Sequence, residues 1–159
     1  MAVQFSEQAL KRYERIVAQY PQKRAAIMAT LWLAQKEFGW LSTDVMEYVA
    51  GLMGLPLAWI SGVASFYTMF HKEPVGKHHL QVCTNVSCML RGSDDILHCI
   101  EEHLGIRPGE TTSDGKFSLE EVECLASCGT APMIQVNEDY EENLDVKRTL
   151  ELIERLARE

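Results

Sequence analysis

The second half of the chain contains two short cysteine-bearing stretches, VCTNVSC at residues 82–88 and VECLASC at residues 122–128. Four residues separate the cysteines of the first stretch and three separate those of the second; the four cysteines are Cys83, Cys88, Cys124 and Cys128. The residues before each stretch favour a β-strand, so each cysteine pair is predicted to occupy a turn directly after a strand. Two such turns at one edge of a sheet can bring four thiolates around a single centre.

Four converging thiolates are the ligand set of a [2Fe-2S] cluster and also of a structural zinc ion. Zinc accepts spacings of two to four residues within a pair, so the spacing alone leaves both metals open. A plant-type ferredoxin is a poor match, because residues 89–91 (MLR) contain no third cysteine. A thioredoxin-like dithiol enzyme is disfavoured, since neither pair has the two-residue spacing of such enzymes. The residues favour iron-sulfur over zinc, and over unligated cysteines in a core.

The composition is that of a globular protein. The chain has 159 residues, of which 47% are hydrophobic and 24% are charged, and it is long enough to bury a core. Five cysteines without a recognisable export signal favour reduced thiols over a disulfide framework. The longest apolar run, residues 25–34, is too short to span a bilayer. We therefore expect a cytoplasmic protein without direct membrane insertion.

The net charge of −8 is unevenly distributed. Residues 1–80 carry a net charge of +2 and residues 81–159 a net charge of −10. The acidic half would repel a phosphate backbone, and neither half shows a basic stripe interleaved with aromatic residues, so we expect no nucleic-acid partner. The difference between the halves indicates two modules with different partners.

Residues 1–74 are predicted to form a small bundle of four helices, because apolar residues recur there at intervals of three and four. Residues that favour helix ends separate the four segments. They are Ser6 as a first cap, Pro21 at the end of the first helix and in the first turn of the second, Gly39 and Gly54 as C-terminal caps, and Pro56 at the start of the fourth.

The segment EPVG at residues 73–76 predicts a domain boundary, since proline and glycine interrupt the pattern. Beyond it the order is predicted as β-α-β-β-α, with strands near residues 79–83, 117–123 and 133–136 and a turn at residues 137–140. We therefore predict an α+β chain with two domains, residues 1–74 as a helical docking module and residues 75–159 as the cysteine-bearing domain.

Four segments together resemble a known family. They read GVASFYTMF at residues 62–70, VCTNVSCMLRG at 82–92, PGETTSDGKF at 108–117 and VECLASCGTAPM at 122–133. They are similar to the thioredoxin-like [2Fe-2S] ferredoxin family, which includes the [2Fe-2S] subunit of respiratory complex I (NADH-quinone oxidoreductase). The likeness extends over most of the chain.

The resemblance implies that Cys83, Cys88, Cys124 and Cys128 ligate one [2Fe-2S] cluster in a thioredoxin-like domain. It also implies an electron-transfer subunit without catalytic residues of its own, docked on a flavoprotein subunit that holds FMN and binds NADH. Other subunits of the peripheral arm would be further partners, and the complex would be attached to the inner membrane from the cytoplasm.

Related chains serve soluble NAD-linked hydrogenases and formate dehydrogenases, which are alternative hosts. Two readings from other classes are a zinc-stapled interaction module without redox activity and a freestanding, diffusing ferredoxin. The helical module disfavours the diffusing ferredoxin, because a shuttle needs little beyond its cluster domain.

One residue departs from the family pattern, which usually has glycine where this chain has Ala126. If the position requires a positive φ, alanine costs on the order of 1 kcal/mol there. Acidic residues also precede Cys124, and their negative charge favours a cluster of low reduction potential. They are Glu120, Glu121 and Glu123.

Several other residues have a plainer explanation beside a functional one. Cys99 lies on the apolar stripe of a predicted helix and is expected to be a buried thiol rather than a fifth ligand. His78 and His79 are expected to be strand residues rather than Rieske-type ligands. Three hydroxyl residues could donate hydrogen bonds to sulfur, although they also suit any tight turn: Thr84, Ser87 and Ser127.

Overall fold

The computed structural model describes residues 3–159. The chain divides into two compact units, Met1–Pro74 and Val75–Glu159. The division falls inside the EPVG segment, where proline and glycine interrupt regular structure.

Within residues 3–74 the first unit is built from four α-helices and one short 3₁₀ segment. The helices are α1 (Glu7–Ala18), α2 (Ile27–Phe38), α3 (Thr43–Met53) and α4 (Leu57–Phe66), and the 3₁₀ segment is Lys23–Ala26. Ser6 and Ser42 cap α1 and α3 by accepting hydrogen bonds from backbone N–H groups three residues later. Each helix contributes fully buried side chains to one core, among them Ala9, Leu31, Val49 and Ile60.

The start of the second helix differs from the sequence-based prediction. The sequence places Pro21 in its first turn, but α2 begins at Ile27 after the 3₁₀ segment. Gln22 is extended, with φ −132° and ψ 134°, and residues 21–25 are exposed. Because these residues bury nothing, regular helix begins only where Ala26 and Ile27 enter the core.

The second unit, residues 75–159, is a four-stranded sheet with helices. The strands are β1 (His78–Cys83), β2 (Phe117–Val122), β3 (Ile134–Val136) and β4 (Asp139–Glu141), and the sheet order is β2-β1-β3-β4. The helices are α5 (Val86–Met89), α6 (Ser93–Leu104) and α7 (Val146–Ala157). The central strand β1 pairs in parallel with β2 and antiparallel with β3. The predicted α+β class is confirmed.

Two short elements of this unit are absent from the sequence-based prediction. The sequence predicts a turn over residues 137–140, but β4 begins at Asp139 and pairs with β3, so that the turn is reduced to residues 137–138. Helix α5 has four residues and starts after the capping residue Asn85, whose side chain accepts a hydrogen bond from the N–H of Val86 at 2.9 Å. The residues of β4 (DYE) lack an alternation of apolar and polar side chains, and α5 (VSCM) makes barely one helical turn, so neither element shows a periodic pattern in the sequence.

The core of the second unit lies on one face of the sheet. Leu80 and Val82 alternate with polar neighbours along β1 and pack in one cluster with residues of β2, β3, α6 and α7, including Leu119, Ile100 and Ile153. A separate small cluster contains two of the cysteines; its buried members are Cys83, Cys88, Ala131 and Met133. The first cysteine pair is thus embedded in apolar packing at the edge of the domain.

Gly76 precedes β1 and lies against the backbone of β2. A Cβ atom at Gly76 would lie 2.8 Å from the carbonyl carbon of Phe117 and 2.9 Å from its nitrogen. We expect Gly76→Ala to lower the free energy of unfolding by about 1–3 kcal/mol, because backbone atoms cannot move aside as a flexible side chain can. Chemical denaturation followed by circular dichroism measures this loss.

The control is Gly51→Ala, in helix α3, where a Cβ would meet nothing within 4 Å. Alanine there should stabilise the chain by about 0.5–1 kcal/mol, since glycine is unfavourable inside a helix. A Gly76→Ala variant as stable as the unmodified protein would contradict the close approach.

Candidate metal centre

Parallel pairing of β1 and β2 brings the two cysteine stretches to one edge of the sheet. The register places Cys83, the last residue of β1, opposite Val122, the last residue of β2. Cys124 follows two residues after Val122. Because parallel strands end on the same side, both cysteine-bearing turns leave the sheet from the same edge.

The first turn holds its cysteines inside the protein. Cys83 and Cys88 are 3% and 2% exposed. The turn between them leads into α5, and the N–H of Met89 donates to the carbonyl of Asn85 at 2.8 Å. One helical turn therefore carries Cys88 back toward the strand end where Cys83 lies.

The second turn leaves its cysteines at the surface. Cys124 and Cys128 are exposed, and Cys128 begins a 3₁₀ turn that ends at Thr130. Between them Ala126 has φ 61°. This is the left-handed conformation, in which alanine is costlier than the glycine that the family usually has at this position. The N–H of Ala126 donates to the sulfur of Cys124 at 3.3 Å. Alanine therefore occupies a backbone conformation that glycine adopts at lower cost.

The thiols of the two turns are close enough to shift the pKa of one another. The S–H groups of Cys88 and Cys124 donate hydrogen bonds to the sulfur of Cys83. Burial disfavours a charged Cys83, but the N–H groups of Asn85 and Leu125 and these two thiols outweigh it and hold the pKa of Cys83 below its ordinary value. A buried sulfur with four donors is poised to be a thiolate, the form that ligates a metal.

The neighbouring cysteine behaves in the opposite way. Burial, and after it the sulfur of Cys83, raises the pKa of Cys88 to about 11, although the N–H of Met133 donates to it. Cys128 is close enough to contribute to the same increase. Without a metal, one thiolate therefore keeps its neighbour protonated, and binding of a cation would release that proton.

The donor set fits a two-iron cluster. A [2Fe-2S] cluster requires two protein thiolates on each of its irons, and this edge of the sheet supplies two pairs of cysteines. N–H donors also reach three of the four sulfurs, as expected of ligands whose charge must be balanced. These donors are Asn85, Leu125, Ala126 and Met133.

Known proteins agree with this chemistry. The model of the thioredoxin-like [2Fe-2S] ferredoxin family matches residues 13–157. The chain belongs to this family. The family carries one [2Fe-2S] cluster, so the centre of this ferredoxin-family chain is an iron-sulfur cluster rather than a zinc staple.

Curated relatives of this ferredoxin-family chain match it over most of their length. An E-type subunit of NADH-quinone oxidoreductase from Rhizobium meliloti (strain 1021) is 52% identical over 141 residues, which are 89% of this chain and 84% of that protein. The E-type subunit of NADH-quinone oxidoreductase from Rickettsia bellii (strain RML369-C) is 46% identical over 155 residues, which are 96% and 93% of the two chains.

A solved structure shares the fold. The crystal structure of NAD⁺-reducing [NiFe]-hydrogenase in the air-oxidized state matches with a TM-score of 0.74 and 23% identity. The match covers 83% of this chain and 23% of that chain, so this chain corresponds to about a quarter of the hydrogenase chain. At this identity the likeness shows the fold alone.

Polar contacts tie the first turn to the end of β2. The hydroxyl of Thr84 donates to Oε1 of Glu121 at 2.9 Å, and the N–H of Thr84 donates to the carbonyl of Val122 at 3.2 Å. Nδ2 of Asn85 donates to the carbonyl of Glu123 at 2.9 Å. These three hydrogen bonds hold the turn that follows Cys83 against the end of the strand that leads to Cys124.

The hydroxyls of the second turn also face a carboxylate. Ser127 and Thr130 both donate to Oε1 of Glu142, Thr130 at 2.7 Å. Thr84 and Ser127 are candidate donors to sulfur in the sequence, but their hydroxyls are directed to Glu121 and Glu142 instead. The sequence does not identify Glu142, because it lies 14 residues beyond Cys128 and reaches the turn only through the fold.

His78 and His79 lie at the end of β1 that is remote from the four cysteines. His79 is at the start of β1, and its Nε2 is 3.1 Å from Oε2 of Glu120. The ring of His78 packs against Phe117 with centroids 5.3 Å apart. Both sit at the opposite end of β1 from Cys83, as expected of strand residues. Glu120, which lies four residues before Cys124, is therefore paired with His79 through its side chain.

Cys99 lies on helix α6 and is half-buried. Burial, and to a smaller extent Glu102, raises the pKa of the Cys99 thiol, so the thiol stays protonated and unreactive. Cys99 thus interacts with Glu102 of its own helix, whereas the other four cysteines interact with one another.

These positions predict which cysteines the iron-sulfur spectrum requires. Cys99→Ser should leave the visible and EPR spectra of the cluster unchanged. Alanine at any one of Cys83, Cys88, Cys124 and Cys128 should bleach or destabilise the spectrum, because one iron loses a ligand. Loss of the spectrum in Cys99→Ser, or its full retention in one of the four alanine variants, would refute the assignment.

Ala126→Gly should stabilise the protein by about 0.5–1 kcal/mol, because glycine removes the clash of Cβ in the left-handed conformation. Thermal unfolding monitors the change. Asn143→Gly is the comparison: Asn143 has φ 52°, but asparagine tolerates this conformation, so a smaller gain is expected. A destabilised Ala126→Gly variant would argue against strain at this position.

Proposed function

We propose that this chain is the [2Fe-2S] electron-transfer subunit of a respiratory NADH-quinone oxidoreductase, with Cys83, Cys88, Cys124 and Cys128 as the ligands. The observation that carries this proposal is the meeting of two cysteine pairs at the common end of two parallel strands, in a chain of the thioredoxin-like [2Fe-2S] family. The chain contributes an electron carrier, not a substrate-converting site, to the enzyme.

The residues around the thiols suit this work. When bound, the cluster supplies a centre that accepts and returns single electrons. Asn85, Leu125, Ala126 and Met133 direct N–H groups at the sulfurs and so stabilise negative charge on them. Burial of Cys83 and Cys88 excludes water from one side of the centre, which limits its hydrolysis and oxidation.

The partner of the cluster domain is an FMN- and NADH-binding flavoprotein subunit, which delivers single electrons. Exposed apolar side chains beside Cys88 support a docked surface there: Val86, Met89 and Leu90 are 58%, 46% and 76% exposed. Apolar residues clustered around a redox centre exclude water when a partner covers them. Further subunits of the peripheral arm complete the surroundings.

The helical unit, residues 1–74, serves as a docking module. Helix α4 contains no charged residue, and three of its large apolar side chains are exposed: Leu57, Trp59 and Phe66 at 38%, 41% and 76%. An uncharged helix with exposed aromatic rings is typical of a face that a protein partner covers.

The host complex follows from the relatives. The E-type subunits of NADH-quinone oxidoreductase are 45–52% identical to this chain, whereas the hydrogenase match at 23% identity carries the fold alone. The respiratory enzyme is therefore preferred to a soluble NAD-linked hydrogenase or formate dehydrogenase. None of the helices within residues 3–159 is both long and apolar enough to cross a bilayer. The subunit would be held at the cytoplasmic side of the inner membrane by its partners.

The test is metal analysis and EPR of protein prepared anaerobically, before and after reduction by dithionite. Two irons per chain and a signal with S = 1/2 that appears on reduction are expected. Stoichiometric zinc without an EPR signal would contradict the proposal and favour a zinc-stapled module.

Co-expression tests the partner. The FMN-binding subunit of the same organism's NADH-quinone oxidoreductase should co-purify with this chain, and the subunit of an NAD-linked hydrogenase or formate dehydrogenase should not. Co-purification with either of the other two alone would reassign the host.

A further inference from the structure

The carboxylate of Glu142, which is not part of the second cysteine turn, is hydrogen-bonded to residues of that turn. Glu142 lies in the connection between β4 and α7 and accepts hydrogen bonds from the hydroxyls of Ser127 and Thr130 on the same oxygen, Oε1. These residues stand on either side of Cys128, and their hydroxyl oxygens are also 2.7 Å from each other. Glu142 is thus a common hydrogen-bond acceptor for the two hydroxyl groups on either side of Cys128.

The backbone reinforces this connection. The N–H of Asn143 donates to the carbonyl of Thr130 at 2.7 Å, and the N–H of Leu144 donates to the carbonyl of Pro132 at 3.0 Å. Residues 142–144 therefore run along residues 130–132 and hold the turn at three successive points. The hydrogen bonds from Ser127 and Thr130 also lower the pKa of Glu142 below its ordinary value, so the carboxylate is charged at neutral pH.

We propose that Glu142 is a positioning residue of the second cysteine turn and that its charge lowers the reduction potential of the centre. This rests on the proposed [2Fe-2S] function. Reduction adds negative charge to an anionic centre, and a nearby carboxylate opposes that addition.

Glu142→Gln separates the two roles. The amide oxygen can still accept from Ser127 and Thr130, so the turn keeps its support while the charge is removed. In an EPR redox titration we expect the midpoint potential to become more positive, by an amount equal to an increase of about three- to tenfold in the reduced-to-oxidised ratio at fixed potential.

Glu142→Ala removes the acceptor as well as the charge. A positive shift of the midpoint potential at least as large as in Glu142→Gln is expected, because both variants lose the charge. Hydrogen exchange of the metal-free protein gives a second readout, which requires no cluster. The amides of Thr130 and Asn143 should exchange faster in Glu142→Ala than in the unmodified chain and Glu142→Gln, because the turn has lost its support.

The matched control is Glu102→Gln, near the C-terminal end of α6. It removes the same charge at the end of the helix remote from the cysteine turns and should leave the potential unchanged. An unchanged potential in Glu142→Gln, a shift equal to that of Glu102→Gln, or loss of the cluster in Glu142→Gln would overturn the inference. Absence of iron from the unmodified chain would instead overturn the proposed function, and the exchange rates would still test the positioning role.

Discussion

Parallel pairing of β1 with β2 is the constraint on which the rest of this domain depends. If the two strands were antiparallel, Cys83 and Cys124 would leave opposite edges of the sheet, and no turn of three or four residues could reunite them. The register is equally important, since it sets Cys83 opposite Val122, and only Glu123 separates Val122 from Cys124. The packing of Leu80 and Val82 in one apolar cluster favours that register, because a shift by one residue would turn them away from the cluster.

Around this pairing the turns are organised by hydrogen bonds that regular structure cannot supply. Backbone N–H groups face the sulfurs, while side-chain hydroxyls face carboxylates: Thr84 to Glu121 in one turn, and Ser127 to Glu142 in the other. The division has an electrostatic logic. N–H donors stabilise charge on the ligands, whereas the carboxylates add negative charge at the periphery. In the proposed cluster site, the balance between these two groups sets how readily the centre accepts an electron.

Much of this architecture is predictable from the sequence, because its long elements have strong periodic patterns. The predicted ends of the strands at Cys83 and Val122 agree with the structure within one residue, and the helical and mixed halves are distinguished correctly. The four cysteines follow from spacing, and their role as ligands stays a prediction. Strand β4 escapes prediction because its residues lack an alternation of apolar and polar side chains, and helix α5 because it makes barely one helical turn. Glu142 escapes it for another reason: its contact with Ser127 exists only after the chain has folded.

The two cysteine pairs are unequally buried, so one side of the proposed centre is enclosed by protein and the other is exposed. Cys83 and Cys88 are enclosed by Ala131 and Met133, whereas Cys124 and Cys128 face the surface. In the proposed cluster site, incoming iron and sulfide would reach the exposed pair first, and so would dissolved oxygen or peroxide. Cluster assembly and oxidative damage would therefore occur from the same exposed side. A partner chain that covers this side would protect the cluster, but it could bind only after the metal has been inserted.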